Sequence, residues 1–228
     1  AENTDNSEEE LFNILRNKEY LTNLINKYWF LDNSILNENI YYPLEGYLYP
    51  DTYYFSNRSV TVEKILEKIL NEMEKKITPY KDAIENNSMS FHEILTLASI
   101  VELEGITKED REKIAGIFIN RINAGISLGS DVTTYYGVKI DMGDRDLYSN
   151  ELTECNNYNT RCLTFNGLPI SPISNPSMES IEVVINPITT DYYYFVADKN
   201  KKIYFSKTIE EHNSTINRLK NNGLWFEY

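Results

Sequence analysis

The chain has 228 residues, enough to bury a substantial core as one large domain or as one domain with a small appendage. Its 35 acidic against 22 basic residues give a net charge of −13, and no basic stripe offers the patch that nucleic-acid binding needs. No apolar run reaches about 18 residues, so this sequence holds no membrane-spanning helix. Its polar, acidic start, Ala1-Glu2-Asn3-Thr4-Asp5, is unlike a signal peptide, which implies a cytosolic protein or one with its N-terminal targeting segment removed.

In chain order, residues 1–10 read as disordered. Leu11, Phe12, Ile14 and Leu15, then Tyr20, Leu21, Leu24, Ile25 and Tyr28, give one or two short amphipathic helices. Residues 43–51 are turn-rich and aromatic. Residues 61–76 form a helix with Val62, Ile65, Leu66, Ile69, Leu70 and Met73 on one face, and Pro79 lies just beyond its end. Ser90 and Glu93 are spaced as a capping box, so 90–104 reads as a helix, with Gly105 at the position where a left-handed backbone commonly ends one. Thr107 and Asp110 open the next helix, which Gly125 closes.

Residues 127–174 are polar, rich in Asn, Asp, Gly and Tyr, and without strong periodicity. A loop of that length inside a domain signals function or disorder, and its aromatic and Pro content favours ordered function. Asn175-Pro176 starts a short helix, with Asn175 as cap. Residues 192–197 and 203–206 form a hairpin, and Thr208 with Glu211 caps a final helix that Gly223 ends. Helices in a block followed by a hairpin indicate an α+β fold rather than alternating βαβ units, with a small antiparallel sheet helping to form a cleft around the 90–104 helix. The division expected is a helical segment over 1–40 and a catalytic domain over 41–228.

The chemistry concentrates at the end of the 90–104 helix. The apolar run Ile94 to Val101 leads straight into Glu102, then Leu103 and Glu104. Burial and the helix C-terminus both disfavour a charged carboxylate, so Glu102 is expected to titrate high, as a general acid must. Glu104 lies about 200° around the axis, since each residue advances roughly 100°, so only one of the two easily points into a given site. The residues alone leave a second reading open, in which Glu102 is a structural acid paired to a buried arginine such as Arg121. Cys155 and Cys162, in a polar loop, suit either a local disulfide or two free thiols. With no phosphate loop, metal cluster or nucleophile elbow, no metal or cofactor is expected.

Five segments in order carry a resemblance. They are Leu44-Glu45-Gly46-Tyr47-Leu48-Tyr49-Pro50-Asp51-Thr52-Tyr53; Leu97-Ala98-Ser99-Ile100-Val101-Glu102-Leu103-Glu104; Ile117 to Ile122 with Leu128-Gly129-Ser130-Asp131-Val132-Thr133 and Tyr136-Gly137; Tyr158-Asn159-Thr160 with Gly167 to Ile173 and Asn175-Pro176; and Tyr194-Phe195-Val196-Ala197-Asp198 with His212-Asn213 beyond. Together they resemble the endolytic murein transglycosylases, with their MltG-type (YceG-like) domain. The departures are Leu103, Gly129 and Val132, where the family usually has Lys, Gln and Pro, and about two extra residues between Thr160 and Gly167.

The resemblance implies a lytic transglycosylase acting on peptidoglycan glycan strands, with Glu102 as catalytic acid/base and muramyl 1,6-anhydro ends as product. It implies substrate binding by Ser130, Asp131, Thr133, Tyr158, Asn159 and Asn175. On the residues alone, Asp131 also suits a turn cap, Tyr158 and Asn159 a turn, and Asn175 a helix cap. The resemblance further implies a single-pass membrane anchor absent from this sequence, an extracytoplasmic location, peptidoglycan synthases as partners, and at most a remnant of a LysM-like region over 1–40. Two alternatives remain at this stage: a muramidase that uses water with Asp131 as second carboxylate, and a non-catalytic wall-binding domain. Glu45 reads as a buried structural acid and His212 as a packed residue.

Overall fold

Side-chain caps set most helix starts. Ser7, Thr61, Ser90, Thr107 and Thr208 each accept a hydrogen bond from the backbone three residues on, and Ser7, Ser90 and Thr107 complete capping boxes with Glu10, Glu93 and Asp110. A computed structural model describes residues 4–162 and 164–225. In it these caps open α1 (Glu8–Leu15), α3 (Val62–Ile77), α5 (Phe91–Glu104), α6 (Lys108–Asn123) and α10 (Ile209–Asn221). Between them lie α2 (Lys18–Lys27), α4 (Lys81–Glu85), α7 (Asp131–Val138), α8 (Ser149–Thr153) and α9 (Met178–Ile185). Strands β1 (Tyr194–Ala197) and β2 (Ile203–Ser206) form an antiparallel pair in the register Tyr194↔Ser206, Phe195↔Phe205, Val196↔Tyr204 and Ala197↔Ile203. Helices with one small antiparallel sheet make the architecture α+β.

The centre is α5. From Phe91 to Val101 every side chain except Glu93 is buried, so the helix is apolar nearly all round and is surrounded by α6, α7 and α9. Ile94, Leu95, Leu97, Ile100 and Val101 have no exposed surface, and truncating one to Ala would cost about 2–5 kcal/mol. Only the last turn, carrying Glu102, Leu103 and Glu104, leaves the core. One hydrophobic cluster runs through Leu15 and Leu21, Leu66 and Leu70, and on to Ile181 and Val184, so it joins the N-terminal helices to the rest. The hairpin and α10 pack together beyond α6.

Four expectations need correction. Residues 8–10 are the first turn of α1 rather than disordered, while residues 1–3 lie outside the described chain. Gly105 has φ −95, not a left-handed value; glycine is needed because a Cβ there would stand 2.5 Å from Arg111 Cγ. Asn175 does not cap α9. Ser177 does, and the Asn175 side chain instead accepts a hydrogen bond of 2.8 Å from the Gly46 N–H. The stretch 127–174 contains α7 and α8. Helix α7 escapes sequence reading because Val132, Thr133, Thr134 and Gly137 are poor helix formers without apolar periodicity.

Candidate active site

Glu102 and Glu104 emerge on opposite sides of α5. Glu102 turns toward the start of α9. Its Oε2 accepts from the Ser177 N–H (3.0 Å), the Ser177 hydroxyl (2.6 Å) and the Ser180 hydroxyl (2.7 Å), and its Oε1 lies 3.4 Å from an Arg111 nitrogen. Arg111 also pairs with Glu179. Burial pushes the Glu102 carboxyl up, but the hydrogen bonds from Ser177 and Ser180, with the Arg111 charge, outweigh it and hold the carboxyl below its usual range. The high-titrating Glu102 expected from sequence is therefore overturned. The arginine that holds it is Arg111; Arg121 lies elsewhere.

Glu104 turns the other way, into the wall of a cleft of about 510 Å³ between the end of α5, the start of α7, β1 and α10. Arg121, Asp131, Arg161, Tyr194 and His212 also line it. The Glu104 carboxylate receives one hydrogen bond from the described residues, 2.6 Å from the Ser130 hydroxyl. Burial is the largest influence and Asp131 adds to it, so its pKa is pushed up to about 7 against the Ser130 hydrogen bond and the Arg161 charge. A carboxyl half-protonated near neutral pH, at the wall of an open cleft, can give a proton and take one back.

Ser130 is itself held rigidly. Its N–H donates to Thr160 Oγ1 (3.0 Å), and its carbonyl accepts from the Thr133 hydroxyl (2.7 Å). The Thr133 proton is thereby used, so the 2.8 Å contact between the two threonine hydroxyls has Thr160 donating, and Thr133 Oγ1 also accepts from the Thr160 N–H (3.1 Å). The Thr160 carbonyl accepts from the Gly129 N–H (3.1 Å) and from the Ser127 hydroxyl. Thr160 lies inside the loop closed by a disulfide between Cys155 and Cys162, with 5.1 Å between their Cα atoms.

Of the residues expected to bind substrate, Ser130 and Asp131 reach the cleft and the others do not. Ser130 is nearly buried and addresses Glu104; Asp131 is half exposed and ion-paired with Arg161. Thr133, Tyr158 and Asn159 have no exposed surface. The Tyr158 hydroxyl accepts from the Tyr41 N–H (3.1 Å) and bonds Ser171 (2.9 Å). Asn159 accepts from Thr134 (2.7 Å) and donates to the carbonyls of Glu151, Leu152 and Glu154. The hydrogen bonds of these side chains are made within the protein, away from the cleft. Asn175 joins two of the motifs by its bond to Gly46, whose φ of +86 and 2.4 Å Cβ-to-Pro172 clearance admit only glycine. Glu45 accepts from the Tyr136 hydroxyl, and burial raises its pKa.

The sequence reading weighed Glu104 only as the alternative to Glu102 and Arg121 only as its partner, and did not single out Arg161; the structure puts all three in the cleft wall. The helical angle between Glu102 and Glu104 was the usable signal, since it marked them as alternatives. It could not tell which neighbour would supply the serines.

The YceG-like family model matches residues 4–218. An endolytic murein transglycosylase of Bacillus subtilis (strain 168) is 39% identical over 181 residues, covering 79% of this chain and 49% of that protein. One from Streptococcus pneumoniae serotype 2 is 34% identical over 186 residues, covering 80% and 33%. A crystal structure of a yceG-like protein from Listeria monocytogenes superposes with a TM-score of 0.85 at 35% identity, over 92% of this chain and 68% of that one. The chain thus spans about half the length, or less, of the curated relatives it matches.

Proposed function

The chain belongs to the YceG-like family, and on that premise we propose that its cleft cleaves peptidoglycan glycan strands as an endolytic lytic transglycosylase. The observation that carries this is Glu104: a carboxyl lining the cleft with one hydrogen-bond donor among the described residues, placed so that burial pushes its pKa up to about 7. Glu104, not Glu102, is the acid/base of the proposal. Protonated Glu104 gives its proton to the glycosidic oxygen as the bond from muramyl C1 breaks. As carboxylate it then takes the proton of the muramyl 6-hydroxyl, which closes onto C1. No water is consumed, so no second carboxylate is needed to activate one, unlike ordinary glycosidases. The attacking hydroxyl belongs to the substrate, which supplies much of the entropic advantage. Ser130 fixes the carboxyl's orientation through one oxygen and leaves the other for the sugar.

Asp131, the candidate second carboxylate of a water-using muramidase, is engaged by Arg161, which supports the transglycosylase reading. The proposal extends to an extracytoplasmic location, where the disulfide would persist. It also extends to an N-terminal membrane anchor outside this sequence and to peptidoglycan synthases as partners; fractionation and cross-linking of the full-length protein test those. The reaction is tested by mass spectrometry of peptidoglycan digested with wild type and with Glu104→Gln. Anhydro-muramyl ends that vanish in the variant support it. Ends one water heavier would establish hydrolysis, and no new ends would leave a binding domain.

A further inference from the structure

In the wall of the same cleft, two side chains keep hydrogen-bonding capacity that no described residue uses. The Arg121 guanidinium lies over the Tyr194 ring, 5.2 Å from its centroid, and the His212 ring packs on Tyr194 at 5.5 Å. Arg121 Nε and His212 Nδ1 are both buried without a hydrogen-bond partner among the described residues. No described carboxylate forms an ion pair with Arg121, although the chain carries 35 acidic residues. A half-buried cation without an anion is costly unless a ligand supplies one. Burial, with Arg121 alongside, pulls the His212 pKa down, so the ring is a neutral partner rather than a second charge. The cleft is large enough for a sugar and a substituent.

We propose that Arg121, seated on Tyr194 and flanked by His212, is an anion subsite of the cleft that binds a carboxylate on the lactyl branch of muramic acid. This rests on the glycan reading above. The hydroxyls and acetamido groups of the strand are neutral, so the lactyl branch carries the negative charge: its own carboxylate on a naked strand, or a stem-peptide carboxylate on a substituted one. A guanidinium matches either in geometry. Holding that branch would fix which face of the muramyl ring meets Glu104.

The test is the dissociation constant of three strands, measured by calorimetry on Glu104→Gln protein so that none is consumed: naked glycan, the same glycan with its lactyl carboxylates converted to methylamides, and peptide-bearing glycan. A carboxylate-bearing strand should bind about tenfold more tightly than the methylamide, the ratio one charge-assisted hydrogen bond carries, and raising the ionic strength should erode that ratio. Whether the naked or the peptide-bearing strand holds the advantage identifies the carboxylate. Adding Arg121→Gln should collapse the ratio toward one, and Arg121→Lys should keep part of it. Equal affinities for all three strands, or a ratio that survives Arg121→Gln, overturn the subsite alone. Binding of none overturns it together with the glycan reading. If Arg121→Gln does not fold, the ratio and its salt dependence decide.

Discussion

The carboxylate of Glu102 receives four hydrogen bonds, one of them from the Arg111 guanidinium, whereas that of Glu104 receives one from a serine among the described residues. Both leave the last turn of the same helix, and burial pushes both upward. The outcomes differ because the α9 start supplies Glu102 with donors, while the wall around Glu104 supplies few and adds the Asp131 charge. Desolvation alone therefore does not make a general acid; desolvation with too few donors does. One glutamate ties α5 to α9, and the other lines the cleft with a single donor among the described residues.

Substitutions can break that contrast. The largest effect is expected for Glu104→Gln, which should lower turnover about a thousandfold, within the usual range for a general acid, while the melting curve stays near wild type. Above pH 7 the variant should unfold no earlier than wild type, for a reason of linkage. A carboxyl raised from 4.5 to about 7 keeps in the folded chain a proton that the unfolded chain has released between those values. On this group's account stability falls as pH rises from about 4.5 to about 7 and stays lowered above it.

Glu102→Gln should do the reverse. Losing charge-assisted bonds at the α5–α9 junction should cost about 2 kcal/mol in denaturant unfolding, with turnover per folded molecule kept within about tenfold of wild type. A collapse of turnover with unchanged stability would exchange the two roles.

Replacing both Cys155 and Cys162 by Ser opens a short loop that contains Thr160, the residue that supports Ser130. Chain entropy puts the loss at about 2 kcal/mol, and turnover should fall as Ser130 loosens. The smallest and most diagnostic change is Ser130→Ala. Activity that needs protonated Glu104 should decline as pH rises through about 7. The Ser130 hydrogen bond lowers that pKa, so removing it should move the alkaline limb of kcat/KM to higher pH. A limb that stays in place would mean that another group sets it.

Much of the fold around these two glutamates was legible in the sequence. The capping boxes at Ser90 and Thr107, the amphipathic stripe from Val62 to Met73 and the 194–206 hairpin are local patterns, and local physics placed them. The motif order was also enough to point to the family. What escaped depends on contacts distant in sequence. The serines that hold Glu102 lie 75 and 78 residues away, and Arg111 approaches through the space Gly105 leaves. Tyr158 and Asn159 were expected to bind substrate because the resemblance implies it. The fold spends them instead on Tyr41, Ser171 and the end of α8.

The most direct measurement is a carbon-13 NMR titration of the glutamate side-chain carboxyls, with Glu104 and Glu102 assigned by their Gln variants. Glu104 should show a midpoint near 7 and Glu102 a midpoint below the ordinary carboxylate value. A Glu104 that ionises with the surface glutamates, while Glu102 holds its proton toward neutrality, would contradict this assignment of roles.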